Sequence, residues 1–153
     1  MDIKITLDIR EFEAALDAMG NAASGALEKA VMSGAFVAEA EIKKNIQGRG
    51  LVDTGNLLNS VQAVLESANN NTAWASVGPR GVVYAAIHEF GGTIRPTRGR
   101  FLVFEIDGEL IFAGAVNIPA RPYIRPAFDL HGNQMLETMA MTLWEAITGA
   151  VDA

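Results

Sequence analysis

Residues 27–46 read LEKAVMSGAFVAEAEIKKNI, and their apolar positions recur at steps of three or four residues. This spacing places one side of an α-helix in a core. Glu39 and Lys43, one turn apart, form a charged pair for the outer side. The many alanines allow the helix to pack closely against a sheet. The stretch therefore predicts a long N-terminal helix whose inner side carries Leu27, Val31, Ala35, Ala38, Ile42 and Ile46.

Strand patterns lie on both sides of this helix. Alternating apolar and polar residues predict an edge strand or arm over residues 1–9, and a short helix follows over residues 10–19. The Asn-rich segment ESANNNT (66–72) and the pair Asp107-Gly108 are typical hairpin tips. The segments that flank these two tips predict strands over residues 60–66, 73–79, 100–106 and 109–116.

The C-terminal part predicts a rigid connector and a second long helix. Three prolines in NIPARPYIRPAF (117–128) fix φ, so this segment is extended and leads into a helix start. The helix that follows has more apolar residues than one core needs. The excess suggests a partner face formed by Met135, Met139 and Trp144, and the alternative is a helix buried between the sheet and another helix.

Together these elements predict an α+β fold in a single domain over residues 1–153. A mainly antiparallel sheet of about four to five strands packs against the long N-terminal and C-terminal helices, and a short helix precedes a long mobile hairpin loop. The formal net charge is −6 and the pI is near 4.8, which argues against binding nucleic acid by charge alone. The absence of cysteine excludes disulfides and thiolate metal sites and favours a reducing cytoplasm during synthesis. We expect a soluble protein without a secretion signal or a membrane span.

Residues 84–92 read YAAIHEFGG and predict a short helix that ends at Gly91-Gly92, with Tyr84, Ile87 and His88 facing inward. His88 and Glu89 are adjacent, so on a helix their side chains point about 100° apart. A metalloprotease helix needs a second histidine one turn later, where this chain has glycine. We therefore expect a hydrogen-bonded structural histidine, no metal, no cofactor and no enzymatic activity. A hydrolase that uses His88 and Glu89 is the alternative.

The segment GGTIRPTRGR (91–100) predicts a flexible basic loop that carries Arg95, Arg98 and Arg100. It cannot bury an apolar face of its own, so a partner would order it. Arginine suits carboxylates and phosphates, which predicts contact with acidic neighbours or with DNA; an ordinary soluble hairpin loop is the alternative. Beyond Arg125 the chain has carboxylates but no Lys or Arg. The basic loop and the acidic C-terminal segment suit head-to-tail contact between copies, and a solvated acidic helix is the alternative.

Three stretches in order carry a family pattern: VDTGNLLNSV (52–61), YAAIHEFGG (84–92) and NIPARPYIRPAF (117–128). Over roughly residues 22–150 the chain resembles the tail-completion and head-tail joining proteins of long-tailed bacteriophages, a group related to minor tail and virion-morphogenesis proteins. Tyr123 replaces a more usual Phe. The matching positions are Thr54, Gly55, Leu57 and Ser60; Tyr84, Ala85, His88, Glu89, Phe90 and Gly91; and Pro119, Arg121, Pro122, Tyr123, Arg125, Pro126 and Ala127.

The resemblance implies a virion structural protein, present in the host cytoplasm during assembly, that forms a ring at the head-tail junction. The ring is hexameric by family resemblance and binds connector or head-completion proteins and tail-tube proteins, with packaged DNA as a further contact. The alternatives are a nucleic-acid-contacting module built on the Arg-rich loop and a minor tail or morphogenesis factor. We hypothesise that Arg121 and Arg125 lock the connector onto Glu89. The full structural motif is Tyr84, His88, Glu89, Gly91, Gly92, Arg121, Pro122, Arg125 and Pro126.

Overall fold

The computed structural model describes residues 3–8 and 21–151. The chain forms two compact units, one made of Met1–Val82 with Tyr123–Ala153 and the other of Val83–Pro122. The single-domain organisation stays a prediction. The short helix predicted over residues 10–19 lies outside the described residues.

The first unit is built on a three-stranded antiparallel sheet of β1 (Ile3–Asp8), β2 (Val61–Ala68) and β3 (Thr72–Pro79), in the order β1-β3-β2. Strand β3 pairs on one side with β1, from Ile3↔Val77 to Asp8↔Thr72, and on the other side with β2. Asn69 closes the β2–β3 turn, because its Oδ1 accepts hydrogen bonds from the backbone N–H of Asn71 at 2.9 Å and of Thr72 at 2.8 Å. The elements of this unit are β1 (Ile3–Asp8), α1 (Asn21–Gly48), α2 (Asn56–Ser60), β2 (Val61–Ala68), β3 (Thr72–Pro79) and α4 (Arg125–Val151).

Helix α1 packs against this sheet with the side that its sequence predicts. All six inner positions, Leu27 to Ile46, are fully buried, and they lie against a sheet face that includes Ala73, Ala75 and Val77. The predicted pair Glu39–Lys43 forms at 2.6 Å. The second carboxylate oxygen of Glu39 accepts a hydrogen bond from the backbone N–H of Ala63 at 2.8 Å, so the helix also covers a polar group of β2.

Helix α4 packs along α1, and both helices contribute side chains to the contact. Met139 lies directly over Gly34 of α1, where no Cβ is present to separate the two helices. Asn45 of α1 donates a hydrogen bond to the carbonyl oxygen of Tyr123 at 3.0 Å, and the Tyr123 side chain is fully buried. His131 Nε2 of α4 lies 3.3 Å from a carboxylate oxygen of Glu41 on α1. The start of α4 is therefore anchored to α1 by packing and by polar contacts.

The second unit consists of one short helix and two separate strand pairs. Helix α3 is Ala85–Phe90, and β4 (Gly92–Ile94) pairs antiparallel with β7 (Val116–Ile118). Strands β5 (Leu102–Ile106) and β6 (Glu109–Ala113) form a hairpin. Asp107 and Gly108 at its tip have φ of 51° and 85°, as a two-residue turn with two left-handed positions requires. The predicted hairpin signal is confirmed.

The mixed α and β class, the antiparallel pairing and the two long helices are confirmed. The prediction of four to five strands in one sheet is wrong in its grouping. Among the described residues the strands divide into one three-stranded sheet and two pairs. The physical reason is that β3 already has a strand on each side, whereas β4 to β7 belong to the Val83–Pro122 unit and pair within it.

Candidate assembly surfaces

The end of helix α3 is a tight backbone corner. Gly91 ends the helix with a φ of 70°, and its N–H donates to the carbonyl oxygen of Ile87 at 2.8 Å. A Cβ at Gly91 would lie 2.8 Å from the backbone nitrogen of Ala120. The N–H of Arg121 donates to the carbonyl oxygen of His88 at 2.7 Å. Glycine is therefore required where the helix end meets the connector after β7.

The side chains of α3 differ in their burial. Ala85 and Glu89 are the buried residues of the helix, and His88 is half-buried. Tyr84 is 41% exposed, which corrects the prediction that it faces inward, and its ring meets that of His88 edge to face at 5.8 Å. Residues 85 and 89, one helix turn apart, share the buried side of the helix, and Tyr84, which precedes residue 85, does not lie on that side. The structural role of His88 stays a prediction.

The arginines of the motif differ in their surroundings. Arg121 and Arg125 are both exposed, while Pro122 and Pro126 are half-buried. Arg121 contacts the end of α3 through its backbone, because its N–H donates a hydrogen bond to the carbonyl oxygen of His88. The ion pair that we hypothesised between these arginines and Glu89 stays a prediction.

The basic loop is shorter than its sequence predicts. Gly92 to Ile94 form strand β4 and pair with β7. The prediction of a flexible loop over residues 91–100 is therefore wrong for these three residues. Arg95, Arg98 and Arg100 follow this strand, and all three are exposed. The guanidinium of Arg100 lies 5.5 Å from the centre of the Phe101 ring. Three cations are therefore presented together between β4 and β5.

The hairpin β5–β6 exposes an apolar face. Val103 pairs with Phe112 and Glu105 with Leu110, and these four side chains share one face. Val103 is 56% exposed, and Leu110 and Phe112 are each 63% exposed. The opposite face, with Leu102, Phe104, Ile111 and Ala113, is half-buried. We call Val103, Leu110 and Phe112 the hairpin face. The sequence signal for an exposed hairpin face is that β5 and β6 carry apolar residues on both faces rather than in strict alternation with polar residues.

The predicted partner face on α4 is only partly at the surface. Met135 and Met139 are buried, so their assignment to a partner face is wrong. Trp144 is 69% exposed. A step of four residues keeps Met135 and Met139 on the side facing α1, whereas Trp144 lies about 140° further around the helix. Leu130 and Met141 are exposed on the same side as Trp144, and we call these three residues the helix stripe.

A polar network on the sheet was not anticipated from the sequence. Arg80 Nη2 lies 3.3 Å from Glu66 Oε1 and also donates to Ser76 Oγ, and the hydroxyl of Ser76 donates to the same carboxylate oxygen. The hydrogen bond from Ser76, followed by the hydrogen bond and charge of Arg80, holds the pKa of Glu66 below its usual value against the opposing effect of desolvation. These contacts join Glu66 of β2 to Ser76 of β3 and to Arg80, which directly follows β3.

The described residues contain no group of three His, Asp or Glu side chains placed to bind a metal ion. Within the same part of the chain, no helix has the length and hydropathy needed to cross a bilayer. The exposed hairpin face is a contiguous apolar patch, whereas the exposed polar residues Asn133, Gln134 and Glu137 lie between Leu130 and Met141 of the helix stripe. An exposed apolar patch is typical of proteins that bind other proteins.

Residues 10–91, more than half of the chain, match the HK97-gp10-like family, described as "Bacteriophage HK97-gp10, putative tail-component". The chain belongs to this family. The resemblance to phage tail and head-tail joining proteins is confirmed at this level, and the family indicates a virion structural protein. No curated protein and no solved structure matches the chain significantly.

Proposed function

We propose that the protein is a ring subunit at the head-tail junction of a bacteriophage, acting in tail completion, as a tail terminator or as part of the neck. It works by oligomerisation and by binding connector and tail-tube proteins, and it catalyses no reaction. The ring is hexameric, and assembly takes place in the host cytoplasm before the protein becomes part of the virion. Membership of a phage tail-component family supports this proposal.

The observation that carries the proposal is the exposure of large apolar side chains on two elements, the β5–β6 hairpin and α4. A two-stranded hairpin is marginal in water by itself, and this one has apolar residues on both faces. Burying the hairpin face against protein would add stability at about 25 cal/mol per Å² of apolar area. In a subunit that is permanently part of an assembly, such an apolar face would be buried in the interface with a neighbouring protein.

Size-exclusion chromatography with light scattering, followed by negative-stain imaging, tests the proposal. We expect a discrete oligomer of six subunits with a central hole. The double variant Leu110→Lys/Phe112→Lys should be monomeric with unchanged circular dichroism, because both side chains are exposed and leave the core intact. Gln62→Lys, on an exposed position of β2, is the matched control and should still form rings.

Two results would contradict the proposal. One is a wild-type protein that stays monomeric at every concentration and does not join purified phage tails. The other is turnover of a small molecule that disappears in His88→Ala while the fold and the oligomer are retained, since this would make the protein an enzyme.

The exposed arginines favour a second candidate, contact with nucleic acid through Arg95, Arg98 and Arg100. In this case the protein should bind DNA with an affinity that falls as salt rises, with a slope of about 0.9 in log–log form for each phosphate neutralised. The triple alanine variant should reduce that slope while leaving the oligomer intact. Equal DNA binding by the variant and the wild type would exclude this candidate.

A further inference from the structure

We propose that strand β1 is a pairing edge through which two copies of the chain join in antiparallel fashion, with Thr6 of one copy opposite Thr6 of the other. The three-stranded sheets of the two copies then form one continuous sheet. The inference rests on the proposed self-association and adds a contact within the oligomer that forms before the protein joins the virion.

The two edges of the three-stranded sheet differ in their protection. At the β2 edge, the N–H of Ala63 donates to Glu39 of α1, and the register shifts between Leu65 and Ser67. A bulge and a carboxylate over the edge both discourage pairing with another strand. Strand β1 keeps a regular register over Ile3–Asp8, and the described residues provide no strand for its other side. The β1 edge is therefore the one suited to a further strand.

The hydrogen bonds around β3 indicate which backbone groups of β1 point outward. Ala63 lies opposite Val77, and its N–H, bonded to α1, points away from β3. In such a pair both residues point away from each other, so the backbone groups of Val77 point toward β1, where Ile3 lies opposite. The hydrogen bond from the N–H of Arg80 to the carbonyl oxygen of Ser60, at 3.0 Å, agrees with this alternation. The residues of β1 whose backbone groups point to the open side are therefore Lys4, Thr6 and Asp8.

These three residues form a self-complementary edge. In an antiparallel pair centred on Thr6, Lys4 lies opposite Asp8 of the second copy, and Asp8 lies opposite Lys4 of that copy. All three positions point toward the other strand, so each pair exchanges two backbone hydrogen bonds. Pairs of opposite charge and pairs of threonine across neighbouring strands are both stabilising. A second copy therefore matches this edge in hydrogen bonding and in charge.

The match holds in one register. A shift by two residues in either direction leaves two pairs of outward-pointing residues within the strand, where the centred register has three. Such a shift pairs Thr6 with Lys4 or with Asp8 and brings no opposite charges together. A shift by one residue would set outward-pointing groups against groups that already bond to β3. Charge and hydrogen bonding therefore select the same register.

The edge is accessible to another copy. The side chains of Lys4 and Thr6 are exposed. The ammonium group of Lys4 lies 4.5 Å from the centre of the Trp74 ring, and alternation along β3 places this ring on the face of the sheet opposite α1. Among the side chains that the structure describes, Lys4 has no carboxylate partner. Its charge is therefore available for a carboxylate of a second copy.

The edge is too small to hold two copies together without another contact. The six residues of β1 extend about 20 Å. One strand edge of this length buries far less than the roughly 1,200 Å² of an ordinary stable interface. Pairing of β1 therefore becomes populated where other contacts, such as those of the hairpin face, already hold copies at high local concentration. This agrees with the monomeric state expected for the variant Leu110→Lys/Phe112→Lys.

The contact has twofold symmetry, because the same strand contributes from both copies. A hexamer of the free protein can hold three such pairs around its central axis. A ring that has one end toward the head and the other toward the tail contains no twofold axis across it. The β1 pairs therefore belong to the free oligomer, and they must separate when the ring is placed in the virion.

Exchanging the two charges tests the register. The Lys4→Asp copy has carboxylates at both charged positions, and the Asp8→Lys copy has ammonium groups at both, so each variant repels itself across the pair. A mixture of the two variants is complementary again, because each charged position faces the opposite charge in the other copy. Gln62→Asp and Gln62→Lys, at an exposed position on the protected β2 edge, are the matched controls.

Cross-linking through Thr6→Cys provides the measurement, because the chain contains no other cysteine and opposed residues of such a pair lie about 5.5 Å apart. Each oligomer is treated with a short bismaleimide reagent at low salt, and the cross-linked dimer is measured on a denaturing gel. We expect ready cross-linking by Thr6→Cys alone and about tenfold less when Lys4→Asp or Asp8→Lys is added. Mixing the two charge variants should restore the dimer, and the Gln62 substitutions should leave it unchanged.

Each other outcome has a distinct meaning. Oligomers in which Thr6→Cys does not cross-link would overturn the inference and leave the ring proposal in place. Equal cross-linking with and without the charge substitutions, or no recovery in the mixture, would refute pairing centred on Thr6. A charge variant that loses the oligomer and regains it on mixing would support the inference. A protein that neither oligomerises nor cross-links would contradict both proposals.

Discussion

The substitution Gly34→Ala adds one methyl group to α1 at the position that Met139 of α4 covers. The new Cβ would lie 2.1 Å from Met139 Cε and 2.7 Å from Met139 Cγ. The terminal methyl of methionine can rotate away, but Cγ is one bond from Cβ and moves only if the side chain changes its χ1 rotamer or the helices separate. Met139 is 2% exposed, so little free space is available for either adjustment.

Two opposing effects set the magnitude. Alanine is better than glycine in a helix by about 1 kcal/mol. Adding a methyl group to a packed core costs about 1–3 kcal/mol. We expect a net loss of about 1 kcal/mol in the free energy of unfolding for Gly34→Ala. Gly25→Ala, in the same helix but with no atom within 4 Å of the added Cβ, should instead gain up to about 1 kcal/mol.

Urea unfolding at one protein concentration measures these differences, because association would otherwise contribute to the apparent stability. Met139→Ala alone should cost about 2–5 kcal/mol, and in the Gly34→Ala background it should cost clearly less, since it removes the steric conflict. Gly34→Ala that stabilises the protein as much as Gly25→Ala does, or a double-mutant cycle without coupling, would refute the proposed helix contact.

Two further predictions concern the corner and the sheet. Gly91→Ala should lower the free energy of unfolding by about 1–3 kcal/mol, because it combines a left-handed φ with a backbone clash; Gly99→Ala, left-handed but with open space around it, should cost less in the same urea titration. The pKa of Glu66 is lower in the folded protein than its value near 4.5 in the unfolded chain. Glu66 therefore stabilises the fold at pH values above 4.5, and this stabilisation is lost as the pH falls through the pKa of the folded state. In an NMR titration, Ser76→Ala should raise the pKa of Glu66 and Arg80→Ala should raise it less; no change in either variant would contradict the network.

The sequence predicted features that depend on neighbours along the chain. All six positions that the spacing from Leu27 to Ile46 assigned to the inner side of α1 are buried, because the helical repeat determines which side chains share a face. Asp107-Gly108 identified its hairpin, because two adjacent left-handed residues are enough to make that turn. Gly91 was identified as the end of α3 for a similar local reason.

The assembly surfaces depended on contacts between distant segments. Met135, Met139 and Trp144 are all large and apolar, and the sequence could not separate them, because burial depends on where α1 lies. The β5–β6 hairpin has apolar residues on both faces, so alternation could not say which face would be exposed.

Local periodicity, turn chemistry and family motifs were therefore sufficient to predict α1, α3 and α4, the hairpin at Asp107-Gly108 and the phage tail family. Tertiary structure alone decided how the strands of the described residues group into three sheets and which apolar side chains remain exposed. The physical reason is that pairing and burial depend on which distant segment occupies the neighbouring space, whereas helix and turn formation depend on residues only a few positions apart.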